Sequence, residues 1–146
     1  MELLPMTEGV LRYDPGSGEW KRVSSLRRSE LPEGYNMVYF RNLMCPSCLL
    51  LDLKFPDLVA TYACTTTVTV VTCMWFTRLC LSRPARAAFV DFSVKESPTL
   101  YLARVVRGRA EKEAYIIGAL SLAEYRSYIH RSLGMRPCPR SPLSRL

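Results

Sequence analysis

The stretch VYFRNLMCPSCLLLDLKFPDL, residues 38–58, decides the fold. An apolar run of strand length, Met37 to Arg41, leads into two cysteines separated by Pro46 and Ser47. Leucines at helical spacings follow, with Leu50 and Leu53 on one side and Leu51, Phe55, Leu58 and Tyr62 on another. The order is strand, turn, helix. Cys45 falls at the cap, Pro46 at the first helical position and Cys48 at the third. A proline costs nothing at that first position, because its missing N–H would be unpaired anyway. Both sulfurs then lie at the first helical turn, where backbone N–H groups lack partners and the macrodipole is positive. Cys-X-X-Cys thiols in such a field have pKa values of about 3.5–7.5. Cys45, partly exposed, is the candidate attacking thiol, and Cys48, under the leucines, the resolving one. Pro56 inside the pattern predicts a kink, or a restart with Pro56 in a new first turn.

Two other readings of the pair compete. A zinc site needs two further ligands, and Cys64, Cys73, Cys80 and His130 offer no second tight pair, so no metal is assigned. Alternatively the pair is inert, surviving on a module kept for binding. Cys64, Cys73 and Cys80 read either as buried small hydrophobes or as partners in a structural bridge. Cys138, in the tail, reads as a disordered spectator.

Upstream, GVLRYDPGSGEWKRV is two alternating runs around a Pro/Gly turn, a β-hairpin from about Val10 to Val23. SSLRRSEL follows as a short helix that its serines can cap. Downstream, the stretch between Asp57 and Arg78 contains no charge. Its TTTVTVVTC segment alternates hydroxyl and apolar side chains, which favours a strand over a membrane helix. PARAAFVDFSV opens a short helix at Pro84. TLYLARVV and AEKEAYIIG are strands joined at Arg107-Gly108. Ser121 and Glu124 form a capping box, with Leu122, Tyr125, Ile129 and Leu133 lining the helix behind it up to Gly134. Helices between the early strands imply parallel crossovers, and the short last link an antiparallel pair. The fold class is α/β, one mixed sheet with helices on both faces and an added N-terminal β-hairpin strand.

The MVYF strand, the Cys-Pro-Ser-Cys turn, VKESPTLYL some fifty residues later, and the closing GALSLAEY resemble the thioredoxin superfamily in order and spacing. The resemblance covers about residues 19–133. It implies a thioredoxin-like domain there and leaves an N-terminal extension over 1–18, while composition makes residues 134–146 a basic, disordered Pro/Ser/Arg-rich tail. It further implies that Pro98 is a cis-proline beside the cysteines and that the Ser97 backbone pairs with a bound substrate peptide. Pro46, Ser47, Ser97, Pro98 and Thr99 are accordingly candidate substrate contacts. The implied activity is thiol–disulfide exchange on protein disulfides, with no cofactor and with an upstream reductant or oxidant as partner. The departures are Met44 where thioredoxins have tryptophan, Pro before Ser in the dipeptide, and Tyr39 in the approximate place of a buried aspartate. Tyr39 and the tryptophans Trp20 and Trp75 otherwise read as core or rim residues, and His130 as surface polar.

The 146 residues fit one domain with a sizeable core. No basic start with an apolar run and a cleavage site is present, and the chain reads as cytoplasmic and monomeric. The net charge of +7 is concentrated in residues 131–146, which hold Arg131, Arg136, Arg140 and Arg145 without an acid. No nucleic-acid module accompanies it, so nucleic acid is not an expected partner, nor is a membrane. The absence of glutamine and the presence of only two asparagines, Asn36 and Asn42, point to a heat-adapted host.

Overall fold

Strand β3, Gly34–Asn42, lies inside the sheet and is buried from Asn36 onward. Its apolar side chains alternate between two cores: Met37 and Tyr39 enter one, Val38 and Phe40 the other. A strand buried on both faces needs cover on both, and the helices supply it. In the computed structural model, which describes residues 4–139, the other strands are β1 Gly9–Asp14, β2 Glu19–Arg22, β4 Thr66–Cys73, β5 Thr99–Val106 and β6 Arg109–Ile117. The helices are α1 Pro46–Tyr62, α2 Arg83–Asp91 and α3 Leu122–Leu133. Helices α1 and α3 pack on the face of Met37 and Tyr39, whereas α2 supplies Ala85, Ala88 and Phe89 to the face of Phe40.

The strand order is β2-β1-β4-β3-β5-β6. β4 runs parallel to β3, as the long α1 connection requires, and every other pairing is antiparallel. The N-terminal hairpin thus lengthens the sheet beyond β4, with Leu11 opposite Val70. One expectation fails here: α2 makes no parallel crossover. The chain leaves β4 at Cys73, runs through α2, and enters β5 at Thr99 opposite Phe40, at the same end of the sheet.

Helix α1 passes through Pro56 as one element. The uncharged segment splits between the end of α1 and strand β4, and no helix among the described residues is long and apolar enough to cross a membrane. The serines of SSLRRSEL cap nothing, because only a 3-10 turn forms, at Arg28–Glu30. Its start is held from outside, by Asp91 Oδ2 accepting the Arg28 N–H at 2.7 Å.

The tail also departs from expectation. The segment after α3 is held at two points: Met135 is buried in the core that α1 and α3 share, and the Cys138 N–H donates to the Thr61 carbonyl at 2.7 Å. Cys138 is disulfide-bonded to Cys64, so it is no spectator. Burial of Met135 and the covalent link outweigh the Pro/Arg composition that predicted disorder. Residues 140–146, with Arg140 and Arg145, lie outside the described residues. A second disulfide joins Cys73 at the end of β4 to Cys80, which selects the bridged reading of these cysteines.

Candidate functional site: a dithiol beside a cis-proline turn

Asn42 ends β3, and the chain reverses through Leu43 and Met44 into α1. The turn is fixed by the backbone N–H groups of Leu43 and Met44, which donate to the carbonyls of Cys73 and Met74 at 2.9 and 3.2 Å. Cys45 has extended backbone at the cap, and its sulfur accepts the Cys48 N–H at 3.2 Å. The sulfur does here what a serine or aspartate oxygen does at an ordinary helix start. Pro46 occupies the first turn, and no acid lies there to oppose a thiolate.

Both cysteines are free thiols. Cys45 is 5% exposed and Cys48 0%, so Cys45 is less open than the sequence reading requires of an attacking thiol, but it remains the more accessible of the two. Its surroundings are exposed: Pro46 and Ser47 on one side, Met44 on the other. Burial, followed by the hydrogen bond with Cys45, pushes the Cys48 thiol up to about 12. The Asn42 backbone and the Ser97 side chain act in the opposite direction.

The pairing of β5 with β3 delivers the second half of the site. With Phe40 opposite Thr99, residues 97 and 98 extend past the end of β3 toward the cysteines. The Ser97–Pro98 peptide bond is cis. The Cys45 thiol donates to the Ser97 carbonyl at 3.5 Å, and the Thr99 hydroxyl closes the turn on the Glu96 carbonyl at 2.9 Å. Cys45, Cys48, Ser97, Pro98 and Thr99 thus meet at one end of the sheet, with Pro46 and Ser47 beside them.

Beneath the dithiol lies a polar network that sequence reasoning missed. The Tyr39 hydroxyl donates its one hydrogen to Asp52 Oδ1 at 2.8 Å, with the Cys48 carbonyl a second, longer acceptor at 3.1 Å. It reaches the backbone of Cys48 rather than its sulfur. Burial, then the negative charge of Asp52, raises the phenol's pKa, so the hydroxyl stays a donor. Arg41, 0% exposed, donates to Asp52 Oδ2 at 3.0 Å, to Thr72 Oγ1 at 2.9 Å, and to the Pro5 carbonyl. The signals were available: Arg41 interrupts an apolar run on the face of Met37 and Tyr39, and Asp52 lies four residues after Cys48 on one helix face. Asn42, also buried, bonds the Ser97 hydroxyl and the Phe76 N–H.

No family model matches the sequence, and no curated protein matches it. Among solved structures, thioredoxin from Aeropyrum pernix is similar at 17% identity and a TM-score of 0.57, covering 86% of this chain and 94% of that one. Chlamydomonas reinhardtii thioredoxin f2 is similar at 16% identity and a TM-score of 0.52, over 75% of this chain and 94% of that one. A Plasmodium falciparum thioredoxin matches at 12% identity and a TM-score of 0.52, over 74% and 77%. The likeness resides in the path of the backbone, and this chain has the thioredoxin-like fold.

Proposed function

We propose that the protein is a thiol–disulfide oxidoreductase acting on protein disulfides through Cys45 and Cys48. The observation that carries the reading is the Cys45 thiol at a helix start, 3.5 Å from the carbonyl preceding a cis-proline, with a buried second thiol one turn on. The remaining four cysteines are paired with one another, which leaves this couple alone free to exchange.

In the reducing direction the Cys45 thiolate attacks one sulfur of a substrate disulfide. A Cys45–substrate bond forms, and the other substrate sulfur leaves as a thiolate. Cys48 then loses its proton and attacks the Cys45 sulfur; the Cys45–Cys48 disulfide forms and the second substrate thiolate departs. A dithiol partner restores the couple, and the reverse sequence oxidises a substrate dithiol. The substrate chain pairs with the backbone at Ser97 as a short added strand, packed on Pro98, Thr99, Pro46 and Ser47. No cofactor takes part.

The reading further places a monomer in the cytoplasm of a heat-adapted host. Structural disulfides persist in such cytosols, and the chain combines two of them with a sequence free of glutamine. Its partners are disulfide or thiol proteins and a redox partner upstream.

Replacing Cys48 by serine tests the proposal, because a mixed disulfide on Cys45 then has no internal nucleophile. The variant is expected to retain protein substrates that dithiothreitol releases and mass spectrometry maps to Cys45. Retention that persists in Cys45→Ser/Cys48→Ser would favour the binding module instead.

A further inference from the structure

Strand β3 lies between β4 and β5, so the turn that carries Cys45 has a neighbour on each side. On the β5 side is the cis-proline turn; on the β4 side is the loop closed by the Cys73–Cys80 disulfide, which the exchange chemistry above leaves unused. Asn42, the last residue of β3, bonds to both: its Oδ1 accepts the Phe76 N–H at 2.7 Å, and its Nδ2 donates to Ser97 Oγ at 3.0 Å. The Met44 N–H donates to the Met74 carbonyl at 3.2 Å, and Trp75 is the next residue. Through that bond the Cα atoms of Trp75 and Cys45 come within about 11 Å of each other, roughly the span of three extended residues.

The loop is rigid and apolar. Trp75 and Leu79 pair backbone to backbone in both directions, at 3.0 and 3.3 Å, inside the disulfide closure. The Trp75 ring stands edge-on against Phe76 with centroids 4.9 Å apart, and Phe76 packs in turn on Phe89 of α2 at 5.8 Å. These contacts fix the indole before anything binds, so little conformational entropy is left to lose on binding. Yet Trp75 is 41% exposed, Leu79 51% and Met44 59%. Large apolar side chains held in water beside a reactive thiol mark a contact surface. The same stretch is basic: residues 74–90 contain Arg78, Arg83 and Arg86 and no acid. Glu8 approaches it with a carboxylate that accepts the Leu81 N–H at 2.6 Å, and Arg78 is exposed with no ion-pair partner among the described residues.

We propose that the Cys73–Cys80 loop is a specificity element for the substrate polypeptide. Trp75, with Leu79 and Met44, takes an aromatic or large aliphatic side chain about two or three residues from the half-cystine that Cys45 attacks, and Arg78 takes a carboxylate beyond it. The proposal rests on the redox reading of Cys45 and names a substrate class for it. With the half-cystine at Cys45, one direction of the substrate chain follows the cis-proline turn and the other crosses Trp75. The loop acts on binding and leaves the attack on the disulfide unchanged.

Two synthetic peptides, each closed by one disulfide, separate binding from chemistry: a half-cystine is followed by Gly-Phe-Glu in one and by Gly-Ser-Lys in the other. Dithiothreitol is the reductant, and hydroxyethyl disulfide, which offers the loop nothing to grip, is the reference. The parent is expected to favour the Phe-Glu peptide about tenfold in kcat/KM, through KM. Trp75→Ser should remove most of that preference, Trp75→Phe should keep most of it, and Arg78→Ala should lower it about threefold. All three should reduce hydroxyethyl disulfide within about twofold of the parent rate. Should Trp75→Ser not fold, Arg78→Ala and tryptophan emission decide the matter. In Cys48→Ser holding the Phe-Glu peptide on Cys45, the emission should move to shorter wavelength as Trp75 loses water, and it should stay in place with the Ser-Lys peptide. Equal kcat/KM for the two peptides, or a preference that survives Trp75→Ser, overturns the role of the loop. So does a parent chain that sediments as a dimer while Trp75→Ser sediments as a monomer, because the loop then binds a second copy of this chain. A parent that reduces neither the peptides nor hydroxyethyl disulfide above the uncatalysed rate overturns the redox reading itself, and this role with it.

Discussion

The Tyr39 hydroxyl donates to Asp52 Oδ1 at 2.8 Å, tying the middle of β3 to α1 one turn beyond Cys48. The second carboxylate oxygen is held by Arg41, whose guanidinium is fully buried. Asp52 is its sole carboxylate partner among the described residues, and the side chains of the pair are 1% and 13% exposed. Removing one member of such a pair leaves the other charge uncompensated. Asp52→Ala is therefore expected to cost about 3–5 kcal/mol of stability, read by urea unfolding. Asp52→Ala combined with Arg41→Met should recover much of that loss, whereas additive losses would contradict the pairing argument.

The resolving step proposed for Cys48 carries its own pH signature. Burial first, then the Cys45 hydrogen bond, raises Cys48 from 9.0 to about 12. A raised value in the folded state means that the protonated thiol is favoured there. The associated stability is fully present below pH 9.0 and is lost as pH rises toward about 12. Over the same range the thiolate fraction grows. With dithiobis(nitrobenzoate) as the disulfide, release of the second coloured thiolate, the one expelled as Cys48 attacks the Cys45 sulfur, should climb about tenfold per pH unit through neutrality, without levelling below about pH 9. A plateau near neutral pH would show that the folded protein does not suppress the thiolate.

The two disulfides close loops of very different size. Cys64–Cys138 spans 74 residues and Cys73–Cys80 spans 7. Loop-closure entropy assigns about 4.5 kcal/mol to the long one and about 2.5 kcal/mol to the short one. Replacing Cys64 and Cys138 by serine should thus lower the urea midpoint more than replacing Cys73 and Cys80. It should also free Met135 and the segment after α3. The reverse ranking would mean that the short closure stabilises chiefly through what it holds, the Phe76 and Asn42 contacts.

What the sequence reveals and what it hides divide along the range of the interaction. Cys45-Pro46-Ser47-Cys48 announces its helix start because the cap, the proline and the thiols act within one turn. Ser121 and Glu124 do the same for α3, where both bonds of the box form. Contacts between distant segments are silent in a linear reading. Asn42 and Ser97 are 55 residues apart, Arg28 and Asp91 are 63 apart, and Cys64 and Cys138 are 74 apart. Each depends on which strand lies beside which. The antiparallel entry of β5 was missed for the same reason, since local pattern gives no direction to a strand that follows a nine-residue helix. Arg41 was hidden differently: a buried arginine violates the pattern used to find cores, and only its partners explain it.

The central claim is that Cys45 and Cys48 exchange electrons with protein disulfides, and one rate tests it. Reduction of a disulfide-bonded protein by dithiothreitol should be accelerated by the parent chain and proceed at the uncatalysed rate with Cys45→Ser/Cys48→Ser. Equal rates for the two proteins would contradict the account and leave the fold as a binding scaffold.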